Sequence, residues 1–163
     1  MKPLPGAKAP ELSAKTTSGG RWTLSDRRPR SFTLIKQLVE LNSMVDDFTQ
    51  RGIELFAVSM NSEELAKRTV EEWGLDRLTV GFELELADAE RWGLFVSAAL
   101  NDKEPPMFNE PGLFFVRPDG TLYSSIVQTM PFSRPPAKAL LGMVDWVIEN
   151  EYPPRGGAAF PST

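Results

Sequence analysis

The chain has 163 residues, enough for one domain with a sizeable core, and its 41% hydrophobic and 25% charged content is ordinary for a soluble globular protein. With 22 acidic against 18 basic residues, the net charge of −4 disfavours nucleic acid and anionic membrane as partners. There is no cysteine and no histidine, which excludes disulfides, thiol chemistry, Cys/His metal sites and histidine acid–base catalysis for the chain as it stands.

In chain order, residues 1–10 are rich in proline and alanine and are expected to wrap the surface. They lack the apolar core of a signal peptide, and no run is long enough to span a bilayer, so a cytoplasmic protein is expected. Glu11 to Thr17 predicts a short strand, Ser18-Gly19-Gly20 a turn and Arg21 to Leu24 the return of a hairpin. Phe32 to Ile35 reads as a central strand covered on both faces. Leu38, Leu41, Val45 and Phe48 recur at helical spacing and predict a helix over 36–50, closed by Arg51-Gly52.

Ile53 to Met60 is a strongly apolar strand. Asn61 and Ser62 cap a helix that runs to Trp73, with Glu63 and Glu64 favourably placed in its first turn and Gly74 as its stop. Leu78 to Leu84 predicts a strand, Ala87 to Leu94 a short helix, and Asn101 to Pro111 a loop. Gly112 to Arg117 and Thr121 to Gln128 form a hairpin about Pro118-Asp119-Gly120. Ala137 to Glu149 is the last helix, with Leu140, Leu141, Val144, Val147 and Ile148 as its apolar face. Residues 1–151 are read as one domain and 152–163 as a loose tail.

Strands alternating with helices, followed by an antiparallel hairpin, predict an α/β fold. A central mixed sheet with helices on both faces and an N-terminal β-hairpin is the thioredoxin-like arrangement. Several segments carry a closer likeness. "GAKAPEL" with "TTSGGRWTLSD", then "SFTLI", "RGIELFAVSMNSEELAKR", "ERWGLF" and "EPGLFFVRPDGTLY" together resemble the peroxiredoxin-like (AhpC/TSA, redoxin) family over most of residues 5–150. The resemblance implies an antioxidant thiol oxidoreductase that reduces peroxides. It implies a peroxide substrate and a thiol reductant as partners, no metal or organic cofactor, and leaves room for a homodimer.

The resemblance fails at one place. In "SFTLIKQLVEL" strand meets helix at Ile35–Lys36 with no turn residues between them, whereas βα connections usually take about 2–6 residues. The family carries its cysteine there, in an Arg-Gly-x-x-Cys-Pro-x-Cys type segment at a helix N-terminus, where unpaired N–H groups stabilise a thiolate that peroxide oxidises to a sulfenic acid. No catalytic residue of the family therefore has a position in this chain. Three accounts fit: a cysteine segment that belongs between Ile35 and Lys36 in a fuller protein, a real deletion in a non-catalytic relative that acts through protein contacts, or an unusual turn over Leu34 to Leu38. The first is the expectation, and it predicts Cα atoms of Ile35 and Lys36 further apart than the about 3.8 Å of bonded neighbours.

Ile35, Lys36, Glu110 and Pro111 are the candidate pocket walls, the last two because a proline preceding such a strand is often cis in thioredoxin-like folds; cis and trans are both open here. Trp22, Trp73, Trp92 and Trp146 are read as core and rim rather than a ligand box. Glu83, Glu85, Asp88 and Glu90 are read as a solvated face rather than a cation site. Arg27, Arg28 and Arg30 are read as solvated rather than phosphate-binding. Met107 and Phe108 are cleft covers or loop anchors.

Overall fold

In the computed structural model the described residues are 2–26, 38–129 and 134–157, together with the backbone of 30–34. Ile35, Lys36 and the distance between them lie outside these, as do Arg27 and Arg28. The element order is β1 (Ser13–Thr16), β2 (Arg21–Thr23), β3 (Arg30–Leu34), α1 (Leu38–Ser43), α2 (Val45–Gln50), β4 (Ile53–Val58), α3 (Glu63–Trp73), β5 (Thr79–Phe82), α4 (Leu86–Arg91), β6 (Val96–Ala98), β7 (Met107–Asn109), β8 (Gly112–Val116), β9 (Leu122–Val127) and α5 (Ala137–Glu149). Seven strands form one sheet in the order β2-β1-β5-β4-β3-β8-β9. β3, β4 and β5 are parallel; β1, β8 and β9 run against their neighbours.

The sheet is buried on both faces because its central strands are apolar on both. On β4, Ile53, Leu55 and Ala57 enter one core and Phe56 and Val58 the other; on β8, Leu113 and Phe115 oppose Phe114 and Val116. Such strands read as continuous apolar runs rather than alternations. The first core is closed by Leu38 and Leu41 of α1, Phe48 of α2, and Ala137, Leu140 and Val144 of α5. The second is closed by Leu12, Trp22 and Leu24 beside the N-terminal hairpin and by Ala89 and Trp92 around α4. Helices thus lie on both faces, as the sequence predicts. Segment 6–9 runs beside the β8–β9 hairpin, through Gly6 N–H to Leu122 O at 2.8 Å and Ala9 N–H to Gly120 O at 2.9 Å. At the other end of the chain, the Tyr123 hydroxyl donates to the Tyr152 carbonyl at 3.0 Å.

Two expectations need correction. The helix over 36–50 is two helices broken at Met44, whose φ of −109° and ψ of 10° leave the helical region. Tertiary bonds override the periodicity: Asn42 is drawn to the 74–78 loop, and the Ser43 hydroxyl donates back to Glu40 O at 2.7 Å. The loop over 101–111 contains a strand, β7, which pairs antiparallel with β6 in a separate two-stranded sheet. Three residues per strand are too few for a period-two pattern to show.

The caps of α3 follow the sequence closely. Ser62 Oγ accepts from Leu65 N–H at 3.3 Å, and Gly74 closes the helix at φ 60°. Replacing Ser62 with alanine leaves that N–H without its side-chain partner and is expected to cost about 1 kcal/mol in urea unfolding. A loss under a few tenths would show that water serves as well.

Candidate functional site

The carboxyl ends of the parallel strands converge where α/β sheets most often hold ligands. β3 ends at Leu34, which registers with Leu113 of β8; β4 ends at Val58, and α1 opens at Leu38. A cleft of about 550 Å³ opens at this edge. Its apolar wall includes Leu38, Trp73, Val80, Phe108 and Pro111. Its polar wall includes Ser59, Asn61, Thr69, Asn109, Glu110 and Arg134.

Each wall has a source in the local fold. α3 supplies Ala66, Thr69 and Trp73 from one face, and Thr69 Oγ1 is spent on Leu65 O at 2.9 Å. β7 brings Phe108 and Asn109. Asn109 is buried, and its Oδ1 accepts from Met60 N–H at 3.1 Å, which ties β7 to the chain just after β4. Glu110 is held by Ser97 of β6, whose Oγ donates to Oε1 at 2.6 Å. Glu104, on the loop between β6 and β7, accepts from Leu100 N–H through Oε2 at 2.7 Å.

Arg134 is the exception. Its Nε is shut off from solvent with no hydrogen-bond partner. Burial pushes its pKa down, and the negative charge of Glu110 opposes that shift without forming an ion pair. Pro135 and Pro136 follow it, and Pro136 caps α5 with φ −57°, so the chain leaves Arg134 in a fixed direction.

Glu110 and Pro111 therefore line this cleft, while Ile35 and Lys36 lie outside the described residues. The bond before Pro111 is trans, since no cis peptide occurs among the described residues. Phe108 lines the cleft, whereas Met107 is largely exposed. Of the tryptophans, Trp22 and Trp92 are core, Trp146 packs on Tyr152, and only Trp73 reaches the cleft. Glu83 is half-exposed and pairs with Lys15 at 3.1 Å, as a solvated face would, whereas the side chain of Asp88, paired with Arg91, is largely buried. No group of three or more acidic side chains converges among the described residues. The sequence offered no sign of Arg134, Ser59 or Asn61 as cleft residues; an arginine before two prolines looks like any loop residue until the fold shuts off its Nε.

A second cavity of about 540 Å³ lies at the opposite edge, between α5 and the β8–β9 hairpin. Two of its polar groups are already engaged with each other. Arg117 lies over the Tyr123 ring at 5.0 Å, and the Tyr123 hydroxyl is spent on Tyr152. Burial pushes the Tyr123 phenol above its ordinary value.

No protein-family model and no curated protein matches the chain. Solved structures do. The mitochondrial 2-Cys peroxiredoxin of Plasmodium falciparum superposes with a TM-score of 0.70 at 18% identity, over 91% of this chain and 96% of that one. The peroxidoxin BcpB of Mycobacterium tuberculosis gives 0.72 at 11% identity, over 89% and 98%. AhpC of Enterococcus faecalis gives 0.71 at 15% identity, over 99% and 100%. No helix of the described residues is long and apolar enough to cross a membrane. The sheet order, the two cores and these superpositions agree: the chain has the thioredoxin fold in its peroxiredoxin-like form, built here without any cysteine.

Proposed function

We propose that this 163-residue chain is a non-catalytic relative of the peroxiredoxins that acts by binding rather than by turning over peroxide. One observation carries the reading. The fold and its edge cleft are intact, yet the chain holds no thiol to attack a peroxide oxygen. Nothing else in the cleft can take that role. Methionine and serine do not run a sulfenic-acid cycle, and no histidine is present to activate a hydroxyl. With a dithiol reductant, the purified chain should consume hydrogen peroxide no faster than the reductant alone. Turnover above that blank would overturn the proposal.

A second reading is favoured by the position of the loss. β3 ends at Leu34 and α1 begins at Leu38, beside the cleft, the place where the resemblance to the family puts its cysteine-bearing turn. On this reading a fuller form of the protein carries that segment between Ile35 and Lys36 and is a thiol-dependent peroxidase. Trypsin separates the two. The protein from its natural source should yield the six-residue peptide Ser31–Lys36, SFTLIK, if the present chain is the working form. Loss of SFTLIK together with a cysteine peptide that takes up a thiol alkylating agent and ends at this lysine would favour the peroxidase.

A further inference from the structure

We infer that the edge cleft binds a small apolar monocarboxylate, its carboxylate seated on Arg134 and its apolar body against Trp73, Phe108 and Leu100. This rests on the reading that the cleft, and not a thiol, is the working part of the chain.

Size and lining come first. A cavity of about 550 Å³ is in the range that holds small organic ligands. Its mouth leaves apolar side chains in water: Leu100 is 90% exposed and Trp73 42%. A ligand with an apolar body covers surface that the fold itself leaves wet.

Charge then selects the head group. The other charged groups of the wall have partners: Glu110 takes the Ser97 hydroxyl and Glu104 the Leu100 N–H. Arg134 has none at its buried Nε. A buried guanidinium Nε without a hydrogen-bond partner is costly, and the planar fork of donors on this half-buried arginine fits a carboxylate in a bidentate pair. Glu110 and Glu104 set the limit on the other side. Two carboxylates in the same wall repel a second negative charge, so a monoanion fits where a phosphate dianion does not.

The test uses 4-phenylbutyrate, its neutral amide and inorganic phosphate, titrated into the full chain by calorimetry and by tryptophan fluorescence, with Trp73→Ala identifying the contribution of the cleft. The acid should bind at least about tenfold more tightly than the amide, with phosphate weaker than either. Arg134→Ala should abolish the preference for the acid while leaving the binding of the amide, and Arg134→Lys should restore part of it. Because the Arg134 Nε has no hydrogen-bond partner in the free protein and Glu110 acts on the group only through its charge, the alanine variant should melt no more than a degree or so below the parent, which separates a ligand role from a structural one. A second variant, Trp73→Ala, should weaken acid and amide alike. Equal binding of acid and amide, no binding of either at about 10 mM, or a preference that survives Arg134→Ala would overturn the inference. Failure here would leave the peroxide result untouched, and peroxide turnover would leave this binding result standing.

Discussion

Replacing Asn42 with alanine is expected to cost about 3 kcal/mol, one of the two largest losses of any substitution considered for this chain. Asn42 sits in α1 at 9% exposure and makes four hydrogen bonds, as many as its amide can offer in this setting. Its Oδ1 accepts from Arg77 N–H and Leu78 N–H, both at 2.9 Å. Its Nδ2 donates to Gly74 O at 3.1 Å and to Asp76 Oδ1 at 2.9 Å. Alanine removes all four hydrogen bonds and leaves the Leu78 N–H buried without a partner. A buried donor so stranded costs about 1–3 kcal/mol, and the remaining bonds add to it. For a chain of this length the melting temperature should fall by on the order of 10 °C. A loss under about 1 kcal/mol would show that water replaces the amide.

The same substitution carries a pH signature. The Asn42 amide, first among the causes, holds the Asp76 carboxyl below its ordinary 3.8, with the Asp76 backbone N–H second. A carboxyl whose folded-state pKa is depressed contributes stability above its unfolded pKa and loses it as pH falls through the folded value. The gap between parent and Asn42→Ala should therefore be widest near neutrality and narrow in acid below the ordinary carboxylate range. A gap independent of pH would leave the carbonyl and N–H partners as the whole effect. The consequence for the cleft is direct, because α1 supplies Leu38 to its wall and Asn42 pins that helix to the loop before β5.

Asn42 also marks where the sequence stops being legible. The two-faced core was readable, since IELFAVSM and GLFFVR are apolar at consecutive positions and only a sheet covered on both sides accepts that. Caps at Ser62 and Gly74 were readable because their chemistry is local. The break at Met44 was not, because its cause is a side chain two residues earlier bonding to residues more than thirty positions on. β6 and β7 were too short to show a period. Glu110 and Pro111 drew notice for a cis bond that does not form, yet they line the cleft because they join β7 to β8. Arg134 is the hardest case. Its meaning lies in the partner it lacks, and a missing partner is visible only once every neighbour is placed.

The second large effect concerns how the N-terminal hairpin is fastened to the parallel core. Phe56 of β4 is 1% exposed, and its ring stacks on Trp22 of β2 with centroids 3.9 Å apart and planes 4° from parallel. Trp22 is oriented by its indole N–H, which donates to Glu54 Oε1 at 3.0 Å. Two small residues make room for these rings. A Cβ at Gly81 would stand 2.7 Å from Phe56 Cζ and 3.2 Å from Ala14 Cβ. Phe56→Ala should cost about 3–5 kcal/mol, from lost transfer energy and the cavity left under Trp22. Gly81→Ala alone should cost about 1–3 kcal/mol, since the ring must move aside. Made together they should not add. With the phenyl ring gone, the new methyl group enters the cavity, and alanine is better suited than glycine to a strand interior by about 0.5–1 kcal/mol. In the Phe56→Ala background, then, Gly81→Ala should cost clearly less than in the parent, with the 3.2 Å approaches to Ala14 Cβ and Val58 Cγ2 still to be relieved, giving a coupling energy of at least about 1 kcal/mol in a double-mutant cycle of urea unfolding. Simple additivity would mean that Gly81 is glycine for some reason other than the ring above it.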